Sequence, residues 1–177
     1  MSSDWSEGAH RALARAGIRL VAHLPDAGLA RLLARCTADP AIRVVGLADE
    51  REGPALLAGA WLGGLRGVLA CQSSGVGNLV NMLAVSAVGR FPLAMLVTMR
   101  GEWGEENPWQ VPMGQAAPAV LGAMGVRLFS LDRALESEAV VEGALGLAFG
   151  SEQMVAVLIR QRLLGAKRFV PAGATAS

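Results

Sequence analysis

Three short stretches gather side chains whose types and spacing could do chemistry. In DEREGPALLAGAW, from Asp49 to Trp61, Glu50 and Glu52 stand just ahead of an apolar run. Asp49 followed three residues later by Glu52 is close to a capping box, where both carboxylates only start a helix. Glu50 is left without a capping duty. It is either a solvated first-turn carboxylate that favours the helix dipole, or an acid in an apolar pocket at a strand end. Burial there raises its pKa and suits it to hydrogen-bond or proton-transfer work. In QSSGVGN, from Gln72 to Asn78, Gly75 and Gly77 could let backbone amides approach a ligand at a helix start. The same glycines fit a tight strand-to-helix turn that needs φ > 0. In MRGEWGEENPWQVPMG, from Met99 to Gly114, Arg100 could anchor an oxyanion through paired donors. It could equally pair with Glu102, Glu105 or Glu106 in its own loop.

These stretches follow apolar runs rich in β-branched residues. The runs are Ile18–Leu24, Ala41–Leu47, Gly67–Gln72, Phe91–Met99, Val126–Leu131 and Met154–Ile159. Segments with helical periodicity lie between them, at Ala27–Cys36, Glu52–Gly63, Gly77–Val88, Gly114–Met124 and Arg133–Phe149. Continuous apolar strands alternating with helices predict an α/β fold: a single open, doubly wound, mostly parallel six-stranded sheet with helices on both faces. Ligands in such folds sit at the carboxyl ends of strands, which is where the polar stretches fall. The spacing predicts one domain over residues 1–169 and a flexible tail over 170–177.

Composition narrows the function classes. Of the 177 residues, 53% are hydrophobic and only 18% charged, so the chain can fill a core and leave apolar surface for a partner. A net charge of +1, without basic patches interleaved with aromatics, argues against nucleic acid. The uncharged run Gly67–Gly89 holds Gln72, Ser73, Ser74, Asn78 and Asn81, which a membrane helix would have to hide. The start of the chain is acidic and polar, unlike a signal peptide. Cys36 and Cys71 form no disulfide framework or metal-ligand spacing, and a reduced cytoplasmic setting is expected. A dinucleotide GxGxxG fails at Val80, and no P-loop pattern occurs. His10 reads as a helix-face residue and His23 as a structural histidine.

Taken in order, these motifs resemble the pyrimidine-binding domain of thiamine diphosphate enzymes, most closely the sulfopyruvate and phosphonopyruvate decarboxylases. Glu50 stands nine residues before Gly59 in LLAGAW, matching the family's acidic start. Gln72, Ser74, Gly75, Gly77, Asn78 and Asn81 match Q-x-S-G-x-G-N-x-x-N. Arg100, Gly101, Gln110, Pro112 and Gly114 match an R-G loop followed by Q-x-P-x-G. The early LPDAG resembles the family's turn after the first strand. The resemblance runs from about Leu20 to Gly125.

The resemblance implies that Glu50 hydrogen-bonds N1′ of the cofactor's aminopyrimidine and favours the imino tautomer that activates the thiazolium. It implies that Asp26 faces the substrate, that Gln72, Ser73, Ser74, Gly75 and Asn78 line the cofactor or a subunit contact, and that Arg100 and Gln110 meet a small anionic 2-oxo acid. The family also needs a G-D-G…N motif to hold Mg²⁺ and the diphosphate, and this chain has no GDG. The expectation is therefore an alpha subunit whose beta partner brings that motif, in a hetero-oligomer such as α2β2. Two other classes stay open: an α/β ligand-binding module, and a regulatory subunit that keeps the fold without the chemistry.

Overall fold

The strands form where apolar, β-branched runs can be covered on both faces. In the computed structural model, which describes residues 4–166, they are β1 Ile18–His23, β2 Arg43–Gly46, β3 Arg66–Gln72, β4 Leu93–Thr98, β5 Arg127–Leu131 and β6 Met154–Ile159. Every pairing is parallel, and the sheet order is β2-β1-β3-β4-β6-β5. The central strands β4 and β6 are buried throughout, while the edge strands β2 and β5 alternate or stay half open. This is the expected doubly wound sheet. The tail expected at 170–177 lies outside the described residues.

The helices split between the two faces. On one side lie α1 Trp5–Arg15, α2 Ala30–Ala38 and α7 Ser137–Ser151, whose buried residues join Val21, Ala70, Leu96 and Val157 in one core. On the other lie α3 Glu52–Leu62, α4 Ser73–Leu79, α5 Leu83–Gly89 and α6 Val111–Ala123. They bury Leu57, Val76, Leu83 and Leu121 against Leu69, Met95 and Leu158. A four-residue helix, α8 Gln161–Leu164, follows β6.

Three elements differ from the expectation. First, α1 was signalled only by the helix-face reading of His10, without a range of its own. Its start carries a cap signal, because Asp4 accepts from the backbone N–H of Ser6 at 3.0 Å and Glu7 sits in the first turn. Second, the helix expected from Gly77 begins four residues earlier, directly after Gln72. It passes through a 3₁₀ turn at Val80–Met82 before continuing as α5. Third, neither Gly75 nor Gly77 has a positive φ, so the turn explanation for these glycines is wrong.

The topology fixes where a ligand can enter. The chain leaves β1 toward β2 on one side and leaves β3 toward β4 on the other. The crevice of such a sheet opens where the winding reverses, outside the carboxyl ends of β1 and β3. Asp26 follows β1, Gln72 ends β3, and Glu50 follows the neighbouring β2.

Candidate active site

The turn after β2 sorts its three carboxylates. Asp49 accepts from the backbone N–H of Arg51 at 2.8 Å and pairs with that residue's guanidinium at 2.8 and 2.9 Å. Glu52 reaches back to accept from the backbone N–H of Ala48 at 3.1 Å. The capping box is thus shifted: each acid takes a donor near the one expected, and α3 has no side-chain cap of its own. Glu50 takes no part. Its Oε2 accepts from Asn78 Nδ2 at 2.9 Å. Its carboxylate lies over the first turn of α4, so that a Cβ added at Gly75 would collide with Glu50 Oε1. Glu52 takes the first-turn position of α3, and the half-buried Glu50 faces α4 instead.

A second cluster closes the crevice floor. Asp26 Oδ1 accepts from Gln72 Nε2 at 2.8 Å. Asp26 Oδ2 accepts from Thr98 Oγ1 at 2.8 Å and from the backbone N–H of Gly28 at 2.9 Å. Ser74 Oγ in turn donates to Gln72 Oε1 at 2.6 Å. The last residues of β3 and β4 and the backbone N–H of Gly28 therefore hold the acid after β1 by three donors, which fix the carboxylate in one orientation. Beneath them the Cys71 thiol is pushed up to about 12, first by burial and then by the charges of Glu50 and Asp26. A thiol so far from ionisation is not a nucleophile at neutral pH.

The long loop after β4 is pinned rather than loose. Arg100 grips Glu105 with two donors, Nε to Oε2 at 2.5 Å and Nη2 to Oε1 at 2.6 Å. The Glu105 side chain is only 3% exposed. The Arg100 hydrogen bonds are the first cause that holds the Glu105 carboxyl down at about 2. Gln161, fully buried at the start of α8, accepts from the backbone N–H groups of Glu102 and Trp103 and donates to Glu105 Oε2 at 2.9 Å. Tight backbone contacts explain the loop's glycines. A Cβ at Gly114 would strike the carbonyl of Arg100, and one at Gly101, whose φ is +72°, would meet Gln110 and Val111 at 2.6 Å.

The structure brings most of the expected residues to one end of the sheet, but in different roles. Glu50, Gly75 and Asn78 form one contact; Asp26, Gln72 and Ser74 form another. Ser73 points inward, fully buried, and accepts from the backbone N–H of Arg100 at 3.1 Å. Arg100 is committed to Glu105. Gln110 Oε1 is buried without a hydrogen-bond partner among the described residues. His10 Nε2 lies 3.1 Å from Asp39 Oδ2. His23 Nδ1 is likewise buried without a hydrogen-bond partner among the described residues. Thr98 and Gln161 were missed, and Glu105 was named only as one of three possible partners of Arg100. Thr98 had a signal, as a polar residue at the carboxyl end of an apolar strand, and Gln161 a weaker one, two residues past the end of another.

Among the described residues no cluster of three or more His, Cys, Asp or Glu could hold a metal ion, and no helix is long and apolar enough to cross a membrane. Two outcomes follow from the polar clusters. Thr98→Val removes a buried donor to Asp26 and should cost about 1–3 kcal/mol in urea unfolding, against a smaller loss for Thr98→Ser. For Glu105 the folded pKa lies below the ordinary 4.5. Its stabilising contribution is therefore complete above that value and lost as pH falls toward 2. Glu105→Gln should flatten the dependence of unfolding free energy on pH across that window, and an unchanged slope would contradict the ion pair.

Comparison with known proteins gives the same frame. No family model matches the chain. It is 30% identical over 155 residues to the sulfopyruvate decarboxylase subunit alpha of Methanococcus maripaludis, covering 87% of this chain and 93% of that subunit. It is 32% identical over 160 residues to the same subunit of Methanothermobacter thermautotrophicus, covering 90% of this chain and 97% of that one. A phosphonopyruvate decarboxylase of Streptomyces viridochromogenes is 39% identical over 92 residues, which are 51% of this chain and 23% of that longer protein. Among solved structures, a 2-oxoglutarate:ferredoxin oxidoreductase from Magnetococcus marinus superposes with a TM-score of 0.74 over 91% of this chain and 29% of its own, at 17% identity. That likeness speaks for the fold, whereas the near-full-length matches speak for descent: the chain belongs to the family of sulfopyruvate decarboxylase alpha subunits.

Proposed function

We propose that this chain is the alpha half of a split, thiamine diphosphate-dependent 2-oxo acid decarboxylase that converts sulfopyruvate to sulfoacetaldehyde and CO₂. The observation that carries this reading is the placement of Glu50. Its carboxylate lies over a glycine, with Asn78 on Oε2, and Oε1 is left for a ligand. The residues fit an aminopyrimidine. Gly75 makes room for the Glu50 carboxylate, which is the hydrogen-bond partner a pyrimidine ring nitrogen needs. When bound, thiamine diphosphate supplies the electron sink for the electrons left behind by departing CO₂.

The chain's own residues then have separate tasks. Glu50 holds the proton at the pyrimidine ring nitrogen, a bond that strengthens once water is excluded. Asn78 keeps that carboxylate in place. Asp26, fixed by Gln72, Thr98 and Gly28, presents a charge of set orientation toward the reacting acid. Ser73 and the Arg100–Glu105 pair hold the loop that brings Gln110 to the rim. Gln110 can donate to the anionic substrate through its side-chain amide N–H groups, while two donor groups of Arg100 already serve Glu105.

The rest of the cofactor site belongs to a partner. The relatives that match end to end are named as alpha subunits, and the phosphonopyruvate decarboxylase carries the matched segment within a much longer chain. A separate beta subunit carrying G-D-G…N, and with it Mg²⁺ and the diphosphate, completes the account in a hetero-oligomer such as α2β2. Two buried free thiols support a cytoplasmic setting. Phosphonopyruvate is the second substrate to test, on the strength of the 39% identity over the shared segment.

The test is CO₂ release by the co-purified alpha and beta chains with thiamine diphosphate and Mg²⁺, offered sulfopyruvate, phosphonopyruvate and pyruvate. Glu50→Gln should lower the rate by ~100-fold or more on the preferred acid while the two chains still co-purify. Retained activity in Glu50→Gln would return Glu50 to a structural role.

A further inference from the structure

The segment that follows β6 has no task in the function above, yet it touches both sides of the proposed substrate position. Arg160 leaves the sheet with its backbone N–H on the carbonyl of Leu131 at 3.1 Å, and its guanidinium pairs with Glu102 at 3.1 Å. Gln161, which opens α8, is fully buried. Its backbone N–H donates to Glu102 Oε2 at 3.1 Å. Its Oε1 accepts from the backbone N–H groups of Glu102 and Trp103 at 2.8 and 3.0 Å, and its Nε2 donates to Glu105 Oε2 at 2.9 Å. Each of these bonds reaches the loop after β4. Arg162 stands over the Trp103 ring, 5.9 Å from its centroid, and a Cβ at Gly104 would meet Ala166 at 2.7 Å.

The same segment also meets the turn after β1. A Cβ at Gly28 would stand 3.3 Å from Leu164 Cδ1 on one side and 2.8 Å from Asp26 Oδ2 on the other. The Gly28 backbone alone therefore separates Leu164 from the Asp26 carboxylate. Leu163 and Leu164 pack on the core shared by α1, α2 and α7, which anchors the segment to the body of the fold. Residues 160–166 thus bridge the turn that carries Asp26 and the loop that carries Arg100 and Gln110.

The two ends of this bridge are held differently. The donors to Asp26 come from β3, β4 and its own turn, so that carboxylate keeps its place if the bridge loosens. The loop begins on Ser73 through the Arg100 backbone, and past Arg100 its hydrogen bonds to distant parts of the chain go to Gln161 and Arg160. Sulfopyruvate and pyruvate share the reacting 2-oxo acid, which Asp26 faces. They differ by the sulfonate, which falls on the loop side with Gln110. We infer that residues 160–166 form a strap that fixes the distance between Asp26 and the loop, with Gln161 as the positioning residue, and so makes the site select 2-oxo acids that carry a second anionic group. This rests on the decarboxylase reading above.

The experiment measures steady-state decarboxylation of sulfopyruvate and of pyruvate by the co-purified alpha and beta chains. Gln161→Ala and Leu164→Ala release opposite ends of the strap. Each should raise KM for sulfopyruvate and lower its kcat/KM preference over pyruvate by ~10-fold or more. With saturating sulfopyruvate kcat should stay within ~3-fold of wild type, the pattern of lost ground-state binding. Leu164→Ala keeps every hydrogen bond of Gln161, so it decides the case if Gln161→Ala does not fold. Gln161→Glu adds a pH readout. The introduced carboxyl faces Glu102 and Glu105, with Arg100 and Arg160 paired to those acids. Ionised, it repels Glu105; protonated, it donates to Glu105 as the amide did. Like charges raise its pKa, so the preference for sulfopyruvate should be lost at pH ~8 and return as pH falls toward ~5, whereas Gln161→Ala shows no recovery. An unchanged preference in both alanine variants, or a fall in kcat with KM unchanged, would overturn the strap and leave the decarboxylase intact. Gln161→Glu without recovery in acid would overturn the role given to Gln161. No turnover of either acid by the wild-type complex would overturn the decarboxylase reading and the strap with it.

Discussion

The Glu50 carboxylate occupies the space that a side chain at position 75 would take. Glycine inside a helix costs ~1 kcal/mol relative to alanine, and here the backbone does not require it, since φ at Gly75 is not positive. What requires it is the acid arriving from the end of β2, two strands away with β1 between. Much of the local geometry follows from that one close approach. The helix must begin at once after β3 so that its first turn lies beside the end of β2. Asp49 and Glu52 must take up the donors of their own turn, so that Glu50 alone is turned inward. Asn78, one turn further along α4, then fixes the carboxylate that Gly75 admits.

A second constraint is that polar groups at the end of a buried parallel sheet must satisfy one another. Asp26, Gln72, Ser74 and Thr98 do so as a chain spanning the ends of β1, β3 and β4. Arg100, Glu105 and Gln161 do so for the loop beyond β4. The two systems meet at Ser73, whose hydroxyl takes the Arg100 backbone donor. The loop therefore belongs to the scaffold of the site. Its position is set by a nearly buried ion pair, which is costly to break once one partner is removed.

The sequence displayed the sheet plainly. Six apolar β-branched runs separated by helical segments leave few alternatives, and parallel strands carry the loops that follow them to one end of the sheet, where Glu50 meets Asn78. What could not be read were the partnerships. Thr98 meets Asp26 across 72 positions, and Gln161 meets Glu105 across 56, distances at which spacing carries no signal. The two readings of Arg100 were equally compatible with its neighbours, and only the loop's backbone, turned by Gly101, brings Glu105 under the guanidinium. The reason for Gly75 was misjudged because a sequence shows that a glycine is present but not whether torsion or space demands it. The α1 helix was signalled only at His10, although Asp4 and Glu7 mark its start, since its apolar face is short and reads weakly beside the strands.

The central claim is that Gly75 sets the working position of the Glu50 carboxylate. The most direct test is Gly75→Ala in the complete enzyme, comparing cofactor-dependent decarboxylation with the unfolding midpoint of the variant chain. The added methyl displaces the carboxylate but suits the helix. Activity should fall by ~100-fold, the cost of misplacing a reacting group by about an ångström, with the midpoint unchanged or higher. Full activity in Gly75→Ala would contradict the account.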